Sequence, residues 1–564
     1  MTLEKSPWQE AAEAKRQAIL EAIPKKWRVE RIPPVEEQVD VTGGYIHQYL
    51  SPQEIEITEA DAVAIASHTT LGEWSAVEVT EAFCHRAAIA HQLVNCLHEV
   101  FFEDALEVAA GLDASFAKTG KPTGPLHGLP ISLKDQFHVR GVETTMGYVG
   151  WIGTFEGRKD DPRSKVAESE LVRELRNLGA VPFCKTSVPT TLMAAETANN
   201  IIGYTWNPRN RHLSSGGSSG GEGALIALRG SPAGFGTDIG GSIRVPAAFN
   251  GVFGLRPSAG RMPYEGAANS MDGQNTILSV VGPLATSIRS LRLLFKAVLS
   301  EKPWMSDPMT LALPWKEDLD TETQKLILAS NENPGLLSFG ILHHDGVVQP
   351  HPPVKHALML VEGMLRSRGH QVVSLDPRYF QAGHEIATKT FNTDGGEDLL
   401  RHIALSGEAQ LPQCFIQAGK QSNATEIAVL NVQKRLYQKA FLDYWNNTSK
   451  ETGTKPIDAI ICPVAPHAAV RPGQFHHTGY TSFVNVLDYP SAAISVMNAD
   501  RSVHKAEDAR GFLSEVDKRV YLEYDAEIYH GAPVGIQLIG RRLEEEKVLA
   551  LAEFIAKQLA DLQL

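Results

Sequence analysis

Residues 214–258 read SSGGSSGGEGALIALRGSPAGFGTDIGGSIRVPAAFNGVFGLRPS, and the first eight of them are all serine or glycine. By composition alone such a run is a flexible tether. The residues downstream argue otherwise. A tether connects two polar surfaces, whereas GGEGALIALRG (220–230) reads as an apolar helix entered directly from the glycines, with a second glycine cluster, GFGTDIGGSIR (234–244), close behind it. Glycine is used where the backbone takes positive φ or approaches a ligand, and successive N–H groups in such turns form an anion-binding nest. If the anion is the tetrahedral oxyanion of acyl transfer, the donors on offer are the amides of Ile239, Gly240, Gly241 and Ser242. Ser242, at the end of the turn, is placed to be nucleophile and donor together.

Outward from this stretch, helices alternate with short apolar strands. KVAESELVRELRNL (165–178) sets Val166, Leu171, Leu175 and Leu178 at roughly helical spacing, and AVPFCK (180–185) after it reads as a buried strand. PPVKHALMLVEGMLRSRGH (352–370) is followed by QVVSL, and IDAIICPVAP (457–466) is strand-like. PVGIQLIG (533–540) precedes a helix with Val548, Leu551, Ile555, Leu559 and Leu562 on one face. The alternation predicts an α/β protein around a mostly parallel or mixed sheet. Residues 300–450 carry few glycines and read as helical elaboration on that sheet.

Composition excludes several classes of function. The 564 residues carry 53 basic and 66 acidic side chains, a net charge of −13 with no basic block of the kind that tracks phosphates, so nucleic acid is not an expected partner. No stretch has the eighteen or so apolar residues of a membrane span. Five cysteines, Cys84, Cys96, Cys184, Cys414 and Cys462, are odd in number and lack any C-x-x-C pair, and they read as buried thiols of a reducing, cytoplasmic compartment. The histidine groups LHHDG, HPPVKH and FHHTGY match no metal-ligand spacing, so neither a metal nor another cofactor is expected. No G-x-G-x-x-G follows a strand, which removes a dinucleotide fold.

A serine hydroxyl needs a base. GPLHGLPISLKDQF (124–137) offers Lys134 at the end of an apolar run. Burial costs an ammonium several kcal/mol and lowers its pKa, and a lysine held neutral acts as a base. The plainer alternative pairs Lys134 with Asp135 at a strand end. Together, 124–137, 214–261 and GAPVGIQLIGRR (531–542) resemble the amidase signature family over nearly the whole chain from residue 55. Within it VEVTEAFCHRAAIAHQLVNCLHE (77–99), KTSVPTTLMAAETANNIIGYTWNPRN (185–210) and WQEAAEAKRQAILEAIPKKW (8–27) are similar to the fungal acetamidases.

The resemblance implies a single large domain, residues 56–564, with a twisted mixed sheet covered by helices. A helical extension, 1–55, precedes it; the 300–450 elaboration read above from its few glycines is where substrate selection is expected. It implies hydrolysis of the C–N bond of small carboxamides, with Ser242 as acylated nucleophile, Ser218 as bridging serine behind a cis bond from Gly217, and Lys134 as terminal base. Asp238 and Arg244 match positions that brace the turn, a structural salt bridge being the alternative. Leu192 and Met193 match a substrate-facing segment, ordinary core being the alternative. Aryl amides, lactams or a specialised fungal metabolite stay open as substrates, and so does a homodimer. GGSSG (216–220) also satisfies the G-x-S-x-G elbow of α/β-hydrolase esterases, but NPRNRHL before it is too polar for the buried strand that elbow needs. An amidotransferase subunit would need partner chains, and a non-catalytic scaffold would not need Lys134, Ser218 and Ser242 intact.

Overall fold

The computed structural model describes residues 5–333, 335–508 and 510–562. Among them run thirteen strands: β1 Leu97–Val100, β2 Pro130–Lys134, β3 Val181–Thr186, β4 Ala198–Asn199, β5 Gly203–Tyr204, β6 Ala233–Asp238, β7 Phe253–Arg256, β8 Val280–Ala285, β9 Ser338–Ile341, β10 Gln371–Ser374, β11 Ala459–Pro463, β12 Ser491–Asn498 and β13 Pro533–Ile539. Eleven form one sheet in the order β1-β3-β2-β6-β8-β7-β12-β13-β11-β9-β10, and β4 and β5 pair separately. The sheet is mixed. β3, β2 and β6 are parallel neighbours, the run from β6 to β11 is antiparallel, and β11, β9 and β10 are parallel again.

Burial explains the sequence of these strands. PISLK, VPFCKT, AGFGTD, AIICP and PVGIQLI are buried at every residue. Since successive side chains point to opposite faces, both faces must be covered, which is why AIICP and PVGIQLI read as near-continuous apolar runs instead of alternating ones. One contiguous hydrophobic core reaches from Ile23 to Leu559. The N-terminal helix Pro7–Ala22 joins the body through Ala12 and Ile19, which pack with Val149, Ile201 and Ile202, and through Lys15, paired with Glu99 and Glu143.

Three expectations change in detail. The helix expected over 165–178 is Glu170–Asn177, entered after Ser169, and Val166 lies before it, 62% exposed. A short 3₁₀ turn, Pro162–Lys165, uses up the chain there. The last helix, Glu545–Ala560, buries Val548, Leu551, Ile555 and Leu559 as its spacing requires, but ends before Leu562, which is 42% exposed. Residues 300–450 are not helical throughout, because they also supply β9 and β10 at one edge of the sheet.

Candidate active site

The site lies where two parallel strands end side by side. Lys134 is the last residue of β2 and Thr237 the penultimate residue of β6, with Leu133 paired to Phe235. That register sets Lys134 Nζ 2.8 Å from Thr237 Oγ1, and Nζ also donates to Ser218 Oγ at 2.7 Å. Thr237 donates onward to Gln136 Oε1 at 2.5 Å, so its hydroxyl is oriented to accept from the lysine. Lys134 therefore does not pair with Asp135, which takes Lys185 at 3.0 Å instead.

The Gly/Ser run is rigid. All eight residues from Ser214 to Gly221 are buried, and the run feeds the helix Gly220–Ala227. Thr197 Oγ1 clamps it, donating to the Gly216 carbonyl at 2.8 Å and accepting from the Gly220 amide at 3.2 Å. The Gly217–Ser218 peptide is cis. A Cβ at Gly217 would stand 2.8 Å from the Ala194 carbonyl oxygen, a close approach of backbone to backbone that only glycine permits. Ser218, whose oxygen is engaged by Lys134 and by no histidine, is thus not in an esterase elbow.

Burial governs the charges here. It pushes the Lys134 ammonium down from 10.5 to about 7, against the opposing pull of Asp238 and Glu222. Glu222, on the helix leaving the Gly/Ser run, is pushed by burial up to about 8, opposed by hydroxyl donors from Ser132 at 2.6 Å and Thr186 at 3.0 Å. Burial acts on Asp238 in the same upward sense. There Arg244 outweighs it, gripping the carboxylate with Nε at 3.0 Å and Nη2 at 2.9 Å, and Asp238 stays well below the usual carboxylate range. Asn485 Nδ2 donates to Asp238 Oδ1 at 2.8 Å and its Oδ1 accepts from Arg244 Nη2 at 2.7 Å.

The turn from Ile239 to Ser242 is shaped by this pair. Asp238 accepts from the amides of Gly241 at 2.9 Å and Ile243 at 3.1 Å, winding the chain back on itself before the helix Arg244–Asn250. One expected donor is thereby corrected: the Gly241 N–H is already spent on Asp238. The amides of Ile239, Gly240 and Ser242 donate to no acceptor among the described residues, and all three residues line a pocket. Ser242 Oγ is likewise without a partner among the described residues, Ser218 and Ser242 being linked instead through the Ser219 amide and the Ser242 carbonyl at 3.1 Å.

The pocket is bounded by Leu192, Met193, Ile239, Val245, Phe391 and Phe415 around Gly217, Gly240, Gly241 and Ser242, with no charged side chain on its wall. Leu192 and Met193 therefore face it, although Leu192 also belongs to a small cluster with Tyr148 and Trp151. Thr191 and Leu192 hold φ of +78° and +64°, unusual for a β-branched and a bulky residue and common near binding sites. Sequence reasoning missed Phe391 and Phe415, which reach the site from far along the chain with no local motif. It also missed Thr237 and Gln136, although both lie within the stretches 124–137 and 214–258.

The chain as a whole has relatives among known proteins. A family model described as Amidase matches residues 78–549. An Acetamidase of Aspergillus oryzae is 46% identical over 98% of this chain and 99% of its own length, and an Acetamidase of Emericella nidulans is 45% identical over 98% of each. Among solved structures, a fatty acid amide hydrolase superposes with a TM-score of 0.88 at 33% identity, covering 98% of this chain and 95% of that one. The full-length match, the superposition and the family model agree: the chain belongs to the amidase family and is a hydrolase of amide carbon–nitrogen bonds.

Proposed function

We propose that the reaction runs through Ser242, Ser218 and Lys134 on small neutral carboxamides. Neutral Lys134 accepts the Ser218 proton while Ser218 accepts that of Ser242, whose oxygen attacks the carbonyl carbon. The free amides of Ile239, Gly240 and Ser242 receive the negative charge that develops on oxygen. Ser218 then returns a proton to the leaving nitrogen, the acyl group stays on Ser242 as an ester, and water releases the acid with the relay running again. Asp238 and Arg244 brace the turn from behind.

The observation that carries this reading is a fully buried lysine hydrogen-bonded to Ser218, the neighbour of Gly217 on the pocket wall, with three unpaired amides on the same wall; burial pushes that lysine down to about 7. The relay needs Ser242 Oγ to close on Ser218 Oγ, a contact that free enzymes often complete only with substrate bound. Replacing Ser242 by Ala tests it. Turnover of a small amide should fall several hundredfold or more with the fold intact, and near-normal turnover would end the assignment.

An uncharged apolar wall favours a neutral, apolar acyl group, and the acetamidase relatives point to a short one. Residues 300–450 would act in selection through Phe391 and Phe415. The five cysteines are free and buried, which suits a reducing, cytoplasmic setting, and no helix among the described residues is long and apolar enough to cross a membrane. Light scattering would tell a monomer from a homodimer.

A further inference from the structure

The peptide unit joining Gly240 to Gly241 is held at both ends. Its N–H, that of Gly241, donates to Asp238 Oδ1 at 2.9 Å, and its carbonyl, that of Gly240, accepts from Thr481 Oγ1 at 2.6 Å. The peptide units on either side carry the unpaired amides of Gly240 and Ser242. A peptide is planar, so fixing one unit leaves its neighbours only the soft torsions at a single α-carbon each. Gly241, at φ +128°, is one of those α-carbons, and a Cβ there would lie 2.5 Å from Thr481 Oγ1. The threonine hydroxyl fills the space that a side chain at 241 would need.

Thr481 is itself anchored. It sits in the first turn of the helix Gly479–Leu487, and its own carbonyl accepts from Arg244 Nη1 at 3.2 Å. Four residues on, and so on the same face of the helix, Asn485 binds both Asp238 and Arg244. Just before the helix, His477 is hydrogen-bonded to the buried carboxylate of Asp345, which ties this end to the loop after β9. A rigid element remote in sequence from the glycine turn thus presents a hydroxyl to it.

We infer that Thr481 is a positioning residue for the oxyanion hole: its hydroxyl, with Asp238, locks the Gly240–Gly241 peptide so that the amides of Gly240 and Ser242 converge on the pocket. Thr481 is not among the residues that line the pocket, so it acts through the turn. The inference rests on the oxyanion reading above, and the two fail differently: if Ser242→Ala keeps its activity that reading falls, whereas the role of Thr481 is decided by Thr481 variants alone.

Thr481→Val keeps shape and removes the hydroxyl, and Thr481→Ser keeps the hydroxyl. Losing an oxyanion donor outright costs about 10² to 10³ in kcat, so misaligning donors by freeing the Gly240 carbonyl should cost about tenfold to a hundredfold. KM of a small amide should change by less than about threefold, because the ground-state carbonyl gains little from the hole. Thr481→Ser should recover most of kcat. As a measurement independent of turnover, a small aliphatic aldehyde, which binds as a tetrahedral adduct, should lose at least about tenfold in affinity for Thr481→Val while acetate binds as before. Wild-type kcat and aldehyde affinity in Thr481→Val would overturn the inference, as would equal losses in the Val and Ser variants, or equal losses of aldehyde and acetate.

Discussion

If Lys134 is the base of the proposed relay, its pKa sets both the activity and the stability of this enzyme against pH. With the ammonium titrating at about 7, the neutral fraction is about 9% at pH 6, about 50% at pH 7 and about 91% at pH 8, so kcat/KM should rise about tenfold between pH 6 and 8 and gain less than about a tenth from pH 8 to 9. Lys134→Ala should lose this limb and, as a general base is worth about 10² to 10⁴, most of the rate with it. A histidine base would give a limb in the same range, so the variants matter. His127, which precedes β2 and whose Nδ1 accepts from the Thr123 amide, can be replaced by Asn without moving the limb. Stability carries the second signature. The unfolded lysine holds its proton up to about pH 10 and the folded one releases it at about 7, so the burial penalty is complete below pH 7 and fades as pH rises towards 10. The fall from 10.5 to about 7 corresponds to a penalty of about 5 kcal/mol. Lys134→Met, inactive but apolar, should therefore melt above the wild type at pH 6, with the gap closing by pH 10. A melting difference independent of pH, or a rate limb that survives loss of Lys134 and vanishes with His127, would refute the reasoning.

Arg244→Met should leave the Asp238 carboxylate buried without its main partner, destabilising the protein by about 3 to 5 kcal/mol in a denaturant titration and abolishing turnover. Phe391→Ala should shift the acyl-length optimum in a graded amide series towards longer chains, and an unchanged optimum there and in Phe415→Ala would remove the 300–450 region from selection. Prolonged EDTA treatment should leave the activity unchanged, and loss restored by zinc would contradict a metal-free mechanism.

How much of the molecule was legible in the sequence depends on where its interactions are made. The strands were legible because burial on both sheet faces writes uninterrupted apolar runs such as AIICP and PVGIQLI, and the helix after the Gly/Ser run because its glycines are backbone requirements of close packing. Local spacing misjudged Val166 and Leu562, since apolar periodicity continues past the residues where the hydrogen-bonded helix starts or stops. At the site, Lys134, Ser218 and Ser242 stand out through motif context. The fate of the Gly241 amide was not legible, because a turn's sequence does not say which N–H groups its own aspartate will consume. Nor were Thr481, Asn485, Phe391 and Phe415, which act from about 150 to more than 240 residues away with no local motif to mark them, Thr481 and Asn485 from a helix buried at every residue.

The most direct test of the mechanism is to find which serine becomes covalently bonded. The enzyme would be treated with a fluorophosphonate at pH 8, digested, and the adduct placed by tandem mass spectrometry, with Ser242→Ala and Lys134→Ala as companions. The label should fall on Ser242, be absent from Ser242→Ala and form far more slowly in Lys134→Ala. A label on Ser218 in the wild type, or one that forms at an undiminished rate without Lys134, would contradict the relay.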